Sequence, residues 1–386
     1  MNLDTVVGKI DRYRGSNPDP DLSPDRDRRP HPWCPMSADA PEMTAIAGDE
    51  RAMAVAIAQG DRARFWARPN PWVGAFVVSP SGETFAGFTE PPGRRHAERV
   101  ALDAAGTETA GATVYVTLEP CAHHGRTPPC ADALIDAEVA RVVVGVTDPD
   151  PQVAGQGIAR LRQAGIRVDV GIGQQAVSTQ LAPYLHHRRT GRPLVILKLA
   201  ATMDGRTAAA DGTSQWITGP QARADAHRLR AESDAILVGA GTVRADDPSL
   251  TVREWDPASD VARPDGGLDP RRIVLGRVPE QARVQPATQV SGELEDLLDT
   301  WGNEGILQLM VEGGAAVAGE FHRRGLVDRY VLYLAPALVG GDRGAPLLGG
   351  PGAATMADLW RGRVHSVAPV GADLRVELRP LGPEED

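Results

Sequence analysis

Cysteine is scarce in this chain, with three residues among 386. So few cannot form a disulfide framework, and a reducing, cytoplasmic compartment is expected. Long apolar runs are also missing. Segments such as Leu194–Leu197 fall far short of the roughly 20 residues that cross a bilayer, so no membrane partner is expected. Positive charge is in deficit: 41 basic residues against 51 acidic ones leave a formal charge of −10. That balance argues against nonspecific binding to nucleic acid. Lysine occurs only as Lys9 and Lys198. No repeat relates the two halves, and no strand-Gly-x-Gly-x-x-Gly-helix fingerprint marks a Rossmann site. What is there, 42% apolar and 24% charged residues, describes a globular chain too long for one ordinary core and comfortable for two.

Residues 1–46 stand apart. Between Asn17 and Pro32 prolines alternate with charges and no apolar face recurs, so ordering that stretch would not be offset by burial. It reads as a disordered extension, or as sequence upstream of a start at Met43, with Cys34 an inert exposed thiol. It lacks the apolar core of a secretory signal. Order is expected from near Asp49, which is placed to cap a short helix through Met53, Val55, Ala56 and Ile57 that ends at Gly60. Strands are predicted over 73–78, 84–88, 113–118, 142–146 and 167–170, with helices over 96–105, 131–137 and 158–163. A linker over 183–193 carries His186, His187, Arg188, Arg189 and Arg192 as a solvated basic cluster. Beyond it, strands over 194–199, 235–238, 272–275, 306–311 and 329–334 alternate with helices over 222–231, 293–301 and 315–324. Two further strands, near 364–367 and 374–378, finish the chain. The alternation predicts an α/β protein of two domains, 47–185 and 190–386, with mostly parallel sheets covered on both faces.

Three features fall close together in the first half: His96-Ala-Glu98 opening a helix, Cys121 ending a strand, and Cys130 opening the next helix. One imidazole and two thiolates make a tetrahedral zinc site with its fourth position open, as a catalytic metal requires. Pro128 and Pro129 suit a helix start, where the thiolate form of Cys130 is favoured. Glu98, two residues from a ligand, lies beside the open position without binding metal, where a carboxylate can carry protons. A core histidine beside two unrelated buried cysteines would explain each residue singly, but not all of them with Glu98. The pattern is the zinc deaminase signature, H-x-E followed by paired cysteines, except that eight residues separate the cysteines instead of two.

The second half is less explicit. Lys198 shares strand parity with Leu194 and Ile196, so its ammonium enters an apolar face and requires an anion nearby. Gly313 to Gly319 follows a strand and opens a helix; its backbone amides suit a phosphate, and its small residues equally suit close helix packing. Arg230 and Arg253 are candidate phosphate partners.

Around the cysteines, Thr117-Leu-Glu-Pro-Cys121-Ala-His-His-Gly-Arg-Thr-Pro-Pro-Cys130 resembles the deaminase domain of the bifunctional diaminohydroxyphosphoribosylaminopyrimidine deaminase/uracil reductases of riboflavin biosynthesis. Pro69-Asn-Pro-Trp-Val-Gly74 and Asp148-Pro-Asp-Pro-Gln-Val-Ala-Gly155 match other loops of that family. In the second half, Lys198-Leu-Ala-Ala-Thr-Met-Asp-Gly-Arg-Thr207, Ser214-Gln-Trp-Ile-Thr218, Arg244-Ala-Asp-Asp-Pro-Ser-Leu-Thr-Val-Arg253 and Val311-Glu-Gly-Gly314 resemble its reductase domain. The resemblance covers roughly residues 47–380, in the family's domain order. It implies a cytidine-deaminase-like zinc domain followed by a dihydrofolate-reductase-like domain, a homo-oligomer using zinc and NADPH on a small phosphoribosylated pyrimidine. It further implies that Asn70, His123, Arg126 and Asp148 contact the substrate of the deaminase. In the reductase, Ser214, Arg230, Leu250, Arg253 and Glu312 would hold substrate. Ala200, Trp216, Thr242, Asp246 and the run Gly314, Ala315, Ala316, Val317, Ala318, Gly319 and Glu320 would hold NADPH. Lys198 would polarise or orient the sugar oxygens.

Three departures from the family pattern stand out. Trp72 replaces a small or polar residue, Asp150 replaces an asparagine, and Gly276-Arg277 replaces an Asp-Ser pair. Two other readings compete: a nucleic-acid deaminase, which the acidic balance and the widened cysteine spacing disfavour, and a paralogue active only in its deaminase half.

Overall fold

The computed structural model describes residues 40–123, 128–151 and 153–381. Of the expected disordered extension over 1–46, residues 1–39, with Cys34, lie outside the described residues, as does Arg126, whereas residues 40–46 are helical and correct that expectation. Two compact units emerge: one joins the chain up to Ala63 to Trp72–Gln180, the other joins Arg64–Pro71 to the chain from Leu181 onward.

In the first unit, α1 (Ala40–Arg62) precedes β1 (Gly74–Val78) and β2 (Thr84–Phe88). Then come α2 (Ala97–Ala105), β3 (Thr113–Leu118), α3 (Cys130–Asp136), β4 (Arg141–Val146), α4 (Gln156–Gln163), β5 (Arg167–Val170) and α5 (Gln174–Gln180). The sheet order is β2-β1-β3-β4-β5. β1 runs antiparallel to both β2 and β3, while β3, β4 and β5 run parallel. Val114, Val116, Val142 and Val144 are fully buried, as expected of central strands covered on both faces.

The helix predicted to begin at Asp49 starts earlier, so Asp49 sits inside α1 and caps nothing. Its carboxylate serves the tertiary structure instead. It accepts hydrogen bonds from the Tyr115 hydroxyl at 2.7 Å and from Arg141 at 2.7 and 2.9 Å. Burial alone would raise the Asp49 pKa; the bonds from Arg141 and Tyr115 bring it below the ordinary carboxylate value.

The second unit opens with α6 (Ala182–Thr190), which occupies most of the stretch expected to be a linker. Tyr184 and Leu185 bury its apolar side, Arg188 stacks over the Tyr184 ring and His187 Nε2 lies 2.9 Å from the Gly302 carbonyl oxygen. The basic cluster thus sits partly on a packed helix, and only its outer residues are solvated. There follow β6 (Leu194–Thr202), β7 (Arg206–Ala208), α7 (Pro220–Ala231), β8 (Ala235–Gly239), α8 (Ala240–Asp246), β9 (Arg271–Leu275), β10 (Thr288–Val290) and α9 (Leu294–Asn303). The unit ends with β11 (Gln308–Val311), α10 (Ala315–Arg323), β12 (Arg329–Ala335), β13 (Ala345–Pro346), β14 (Gly362–Val370) and β15 (Asp373–Pro380).

Eight of these strands form one sheet, ordered β10-β9-β8-β11-β6-β12-β15-β14. It is parallel from β10 to β12, and β15 and β14 add antiparallel strands at one edge. Alternation along β6 feeds two cores. Val195, Leu197 and Leu199 pack with Trp301 and Phe321; Leu194 and Ile196 pack with Leu229 and Val238 on the other face. Lys198 follows the parity of the second set and is carried to the same face as α7.

Candidate functional site

The first site grows from the start of α2. His96 is its N-cap, in extended backbone, with its carbonyl accepting the first helical bond from Val100 N–H. Ala97, Glu98, Ala101, Leu102 and Ala105 form the buried face of α2, so helical spacing drives Glu98 inward beside its histidine neighbour. Cys121 follows β3, and Cys130 is the first residue of α3. His96 Nδ1 lies 3.7 Å from Cys121 Sγ and 3.3 Å from Cys130 Sγ, and all three donor atoms lie within 4.8 Å of one another. Among the described residues this is the cluster of metal-ligating side chains that can hold an ion.

The donor set suits zinc: borderline-soft sulfur and nitrogen, three in number, with one position left for a reactant. The thiols are already differentiated. The hydrogen bond from the Cys130 thiol, reinforced by His96 and by the Cys130 backbone N–H at 3.3 Å, lowers the Cys121 pKa well below the ordinary thiol value. The same bond, with burial, raises Cys130. Glu98 is only 4% exposed, and burial pushes its pKa up to about 6. A carboxyl near that value can both take and give a proton close to neutrality.

The neighbouring loop depends on Glu119, a residue with no evident role in the sequence pattern. Glu119 is buried at the end of β3. Its carboxylate accepts four backbone N–H bonds, from Asp148 at 3.3 Å, Gly155 at 3.0 Å, Gly157 at 3.0 Å and Ile158 at 3.2 Å. It thereby pins the 148–158 loop and satisfies the N-terminus of α4. Gly157 is required there, because a Cβ would stand 1.8 Å from the Pro120 carbonyl oxygen. The only sequence signal for Glu119 was its place between a strand and a ligand. Asp148 is buried in this loop, and its carboxylate accepts from Asp150 N–H at 2.9 Å. His123 is exposed in the loop after Cys121. Trp72 is a buried core residue beside β1. Asn70 lies on Arg64–Pro71, the segment that clusters with the second unit, so it does not share a unit with the zinc ligands.

The second site is a cavity of about 850 Å³ in the second unit. Lys198, Ala200, Ser214, Trp216, Arg230, Thr242, Asp246, Leu250, Arg253 and Glu312 line it, as do Gly314, Ala315, Ala316 and Val317. Fourteen residues singled out from sequence thus converge on one space. Three do not: Ala318 faces the core, Gly319 packs against the Gly349 carbonyl, and Glu320 pairs with Arg323 and Arg324. They follow the first turn of α10, where the helix leaves the cavity.

At the centre Lys198 Nζ stands 3.0 Å from Glu312 Oε1. Arg230 approaches the same carboxylate through Nε at 2.9 Å and through its second terminal nitrogen at 2.9 Å. Burial would raise the Glu312 pKa; the charges of Arg230 and Lys198 outweigh it and hold the carboxyl well below its usual range. The glycine run packs closely, and part of it also borders the cavity. Gly314 N–H donates to Thr242 Oγ1 at 2.9 Å, and a Cβ on Gly314 would press that oxygen at 2.9 Å, while its backbone also faces the cavity. A glycine floor, a cavity of this size and the exposed Trp216 ring at its rim fit a dinucleotide beside a second small molecule. Among the lining residues not singled out from sequence are the buried His227 and Tyr333.

Known proteins resemble both units. Residues 47–146 match the cytidine and deoxycytidylate deaminase zinc-binding region, and residues 193–374 match the RibD C-terminal domain. The riboflavin biosynthesis protein RibD of Escherichia coli K12 is 42% identical over 364 residues, spanning 86% of this chain and 99% of that protein. Its Mycobacterium tuberculosis H37Rv counterpart is 42% identical over 339 residues, 85% of this chain and 96% of that one. Among solved structures, Acinetobacter baumannii RibD superposes with a TM-score of 0.80 at 36% identity, covering 87% of this chain and all of that one. A Thermotoga maritima diaminohydroxyphosphoribosylaminopyrimidine deaminase/5-amino-6-(5-phosphoribosylamino)uracil reductase gives 0.76 at 31%, with the same coverage.

Proposed function

This chain belongs to the RibD family of riboflavin biosynthesis proteins, and from that premise we propose how its own residues divide two reactions. It is a bifunctional enzyme, a zinc-dependent deaminase joined to an NADPH-dependent reductase. The substrate of the first step is the phosphoribosylated diaminopyrimidine, and its deaminated product is the substrate of the second.

His96, Cys121 and Cys130 hold zinc. When bound, zinc acts as a Lewis acid that lets water attack near neutral pH. Both protons of that water leave by way of Glu98. The first goes to the ring nitrogen next to the attacked carbon. The second, from the hydroxyl now on that carbon, goes to the exocyclic amine, so ammonia departs and a carbonyl remains. The depth of Glu98 keeps bulk water from competing for the proton. Asp148, His123, Arg126 and Asn70 are assigned to substrate contact, with the loop held in place by Glu119.

NADPH, when bound, supplies a hydride to the ribosyl C1′. The bond from C1′ to the ring oxygen breaks, that oxygen takes a proton, and a ribityl chain results. Lys198 orients and polarises this oxygen, and Glu312 and Arg230 fix the ammonium where it can do so. Ser214, Leu250 and Arg253 complete the substrate side; Ala200, Trp216, Thr242, Asp246 and the first turn of α10 complete the cofactor side. The scarcity of cysteine supports a cytoplasmic setting and the acidic balance supports a small-molecule rather than nucleic-acid partner. A homo-oligomer is proposed on family resemblance. No helix among the described residues is long and apolar enough to cross a membrane.

The observation that carries this reading is the convergence of one imidazole and two thiols beside a buried acid. Chelation tests it. Stripping zinc should end ammonia release from the diaminopyrimidine ribotide while NADPH oxidation with the already deaminated ribotide continues. Ammonia release that survives complete metal removal would overturn it.

A further inference from the structure

His227 has no role in the account so far. It lies on α7, one turn before Arg230, and lines the same cavity at 5% exposure. Its Nδ1 accepts the backbone N–H of Arg253 at 2.9 Å. An imidazole accepting at Nδ1 must be neutral and must carry its proton on Nε2. Burial first, then the charges of Arg230 and Arg253, lower the His227 pKa to about 4, consistent with that form. The Nε2–H has no hydrogen-bond partner among the described residues, and it is not among the polar atoms sealed from solvent. It is a donor of fixed direction, nine-tenths buried, left for something in the cavity.

The surroundings indicate which kind of acceptor. Arg253 donates through one terminal nitrogen to Thr251 Oγ1 at 2.6 Å and to Ser249 Oγ, and makes no ion pair among the described residues. Arg223, from the first turn of α7, lies over the Trp216 ring at 4.6 Å and reaches Glu254 only at 3.6 Å. Glu312 is occupied by Lys198 and Arg230. Asp246 and Asp247 line the cavity from the end of α8. Arg223 is thus paired with Glu254 and Arg230 with Glu312. That leaves Arg253 as the cation of the 249–254 loop without an ion-pair partner among the described residues, next to a neutral N–H donor, a combination suited to a phosphate monoester.

We propose that His227 is a substrate-positioning residue of the reductase site, fixing the Arg253 backbone through Nδ1 and donating its Nε2–H to the phosphate of the ribotide. The proposal rests on the reading of this cavity as the reductase site.

Two substitutions in the full-length, zinc-loaded protein separate the two nitrogens. In H227N the side-chain oxygen keeps the acceptor for Arg253 N–H but nothing stands at Nε2. In H227Q an amide N–H reaches toward the Nε2 position while the Nδ1 acceptor is lost. Loss of a hydrogen bond to a charged oxygen should raise KM for the deaminated ribotide about 10- to 100-fold in H227N. The rise in H227Q should be smaller, kcat should change less than KM, and NADPH affinity by titration should stay within about twofold. With the dephosphorylated riboside, H227N and wild type should become equal. Ammonia release reports that the variants remain folded in the deaminase unit, and thermal melting reports on the reductase unit. The proposal is overturned by a wild-type KM in H227N, by H227Q exceeding H227N, or by an equal penalty with the riboside. Failure of the wild type itself to oxidise NADPH would instead sink the underlying assignment of the cavity.

Discussion

The Lys198 ammonium and the Glu312 carboxylate meet at 3.0 Å across a sequence separation of 114 residues, where β11 ends beside the middle of the parallel strand β6. Strand parity demands an anion for a lysine on an apolar face, and β11 delivers one just beyond its last residue, Val311. Neither group is spare, since Arg230 closes on the same carboxylate. Both groups line the cavity, which is where the proposed steering of a sugar oxygen by Lys198 requires them.

Removing the cation tests that arrangement. In Lys198→Met, NADPH oxidation should fall by two or more orders of magnitude (about 10²-fold or greater) while ammonia release is unchanged. Glu312→Gln leaves Lys198 and Arg230 without their counter-ion and should cost about 3–5 kcal/mol of stability. Native-rate NADPH oxidation by the methionine variant would remove Lys198 from the mechanism.

In the zinc site the equivalent change is Glu98→Gln. Amide for carboxyl keeps the shape and removes the proton carrier, so ammonia release should drop by roughly 10²- to 10⁴-fold. Metal analysis should still find one zinc per chain. An active glutamine variant would mean that another group moves the protons.

Glu119→Gln probes the loop. One of two accepting oxygens becomes a donor facing backbone N–H groups that also need an acceptor, at a cost of about 1.5–3 kcal/mol for each charged bond lost. The deaminase unit should melt earlier, and KM for its substrate should rise with zinc still bound. Equal melting and equal KM would show that the 148–158 loop holds itself.

Acid should weaken the second unit in a defined window. Burial would raise the pKa of Glu232; Arg64 and Arg228 outweigh it and lower the carboxyl from 4.5 to about 2. A carboxyl depressed on folding contributes stability that is fully present above its unfolded value and is lost as pH falls through the folded one. Unfolding free energy should therefore decline between 4.5 and about 2, by on the order of 3 kcal/mol from this group. Glu232→Gln should be less stable at neutral pH and flatter across that window; an unchanged slope would assign the acid sensitivity elsewhere.

Much of this was readable beforehand, and the exceptions have physical causes. Strands such as Thr113–Leu118 and Arg329–Ala335 were visible because apolar runs of that length have few other uses. The zinc ligands were visible because few roles explain a histidine, two cysteines and an acid at such spacing. Asp49 looked like a helix cap and is instead a buried ion partner of Arg141, since sequence does not distinguish local from tertiary satisfaction of a carboxylate. The basic stretch at His186–Arg189 looked like a linker because only Tyr184 and Leu185 mark the packed side of its helix. Lys198 announced that it needed a partner, but pairing between strands decided that the partner was Glu312. The family resemblance located fourteen residues of the cavity lining, and it could not foretell where α10 turns away at Ala318.

The most direct measurement gives the zinc-loaded protein its diaminopyrimidine ribotide with NADPH and follows ammonia and NADPH in one tube. The account predicts one ammonia per substrate, with NADPH loss following it and reaching the same amount. Ammonia without NADPH loss would contradict the reductase assignment of the second unit, and NADPH loss without ammonia would contradict the deaminase assignment of the first.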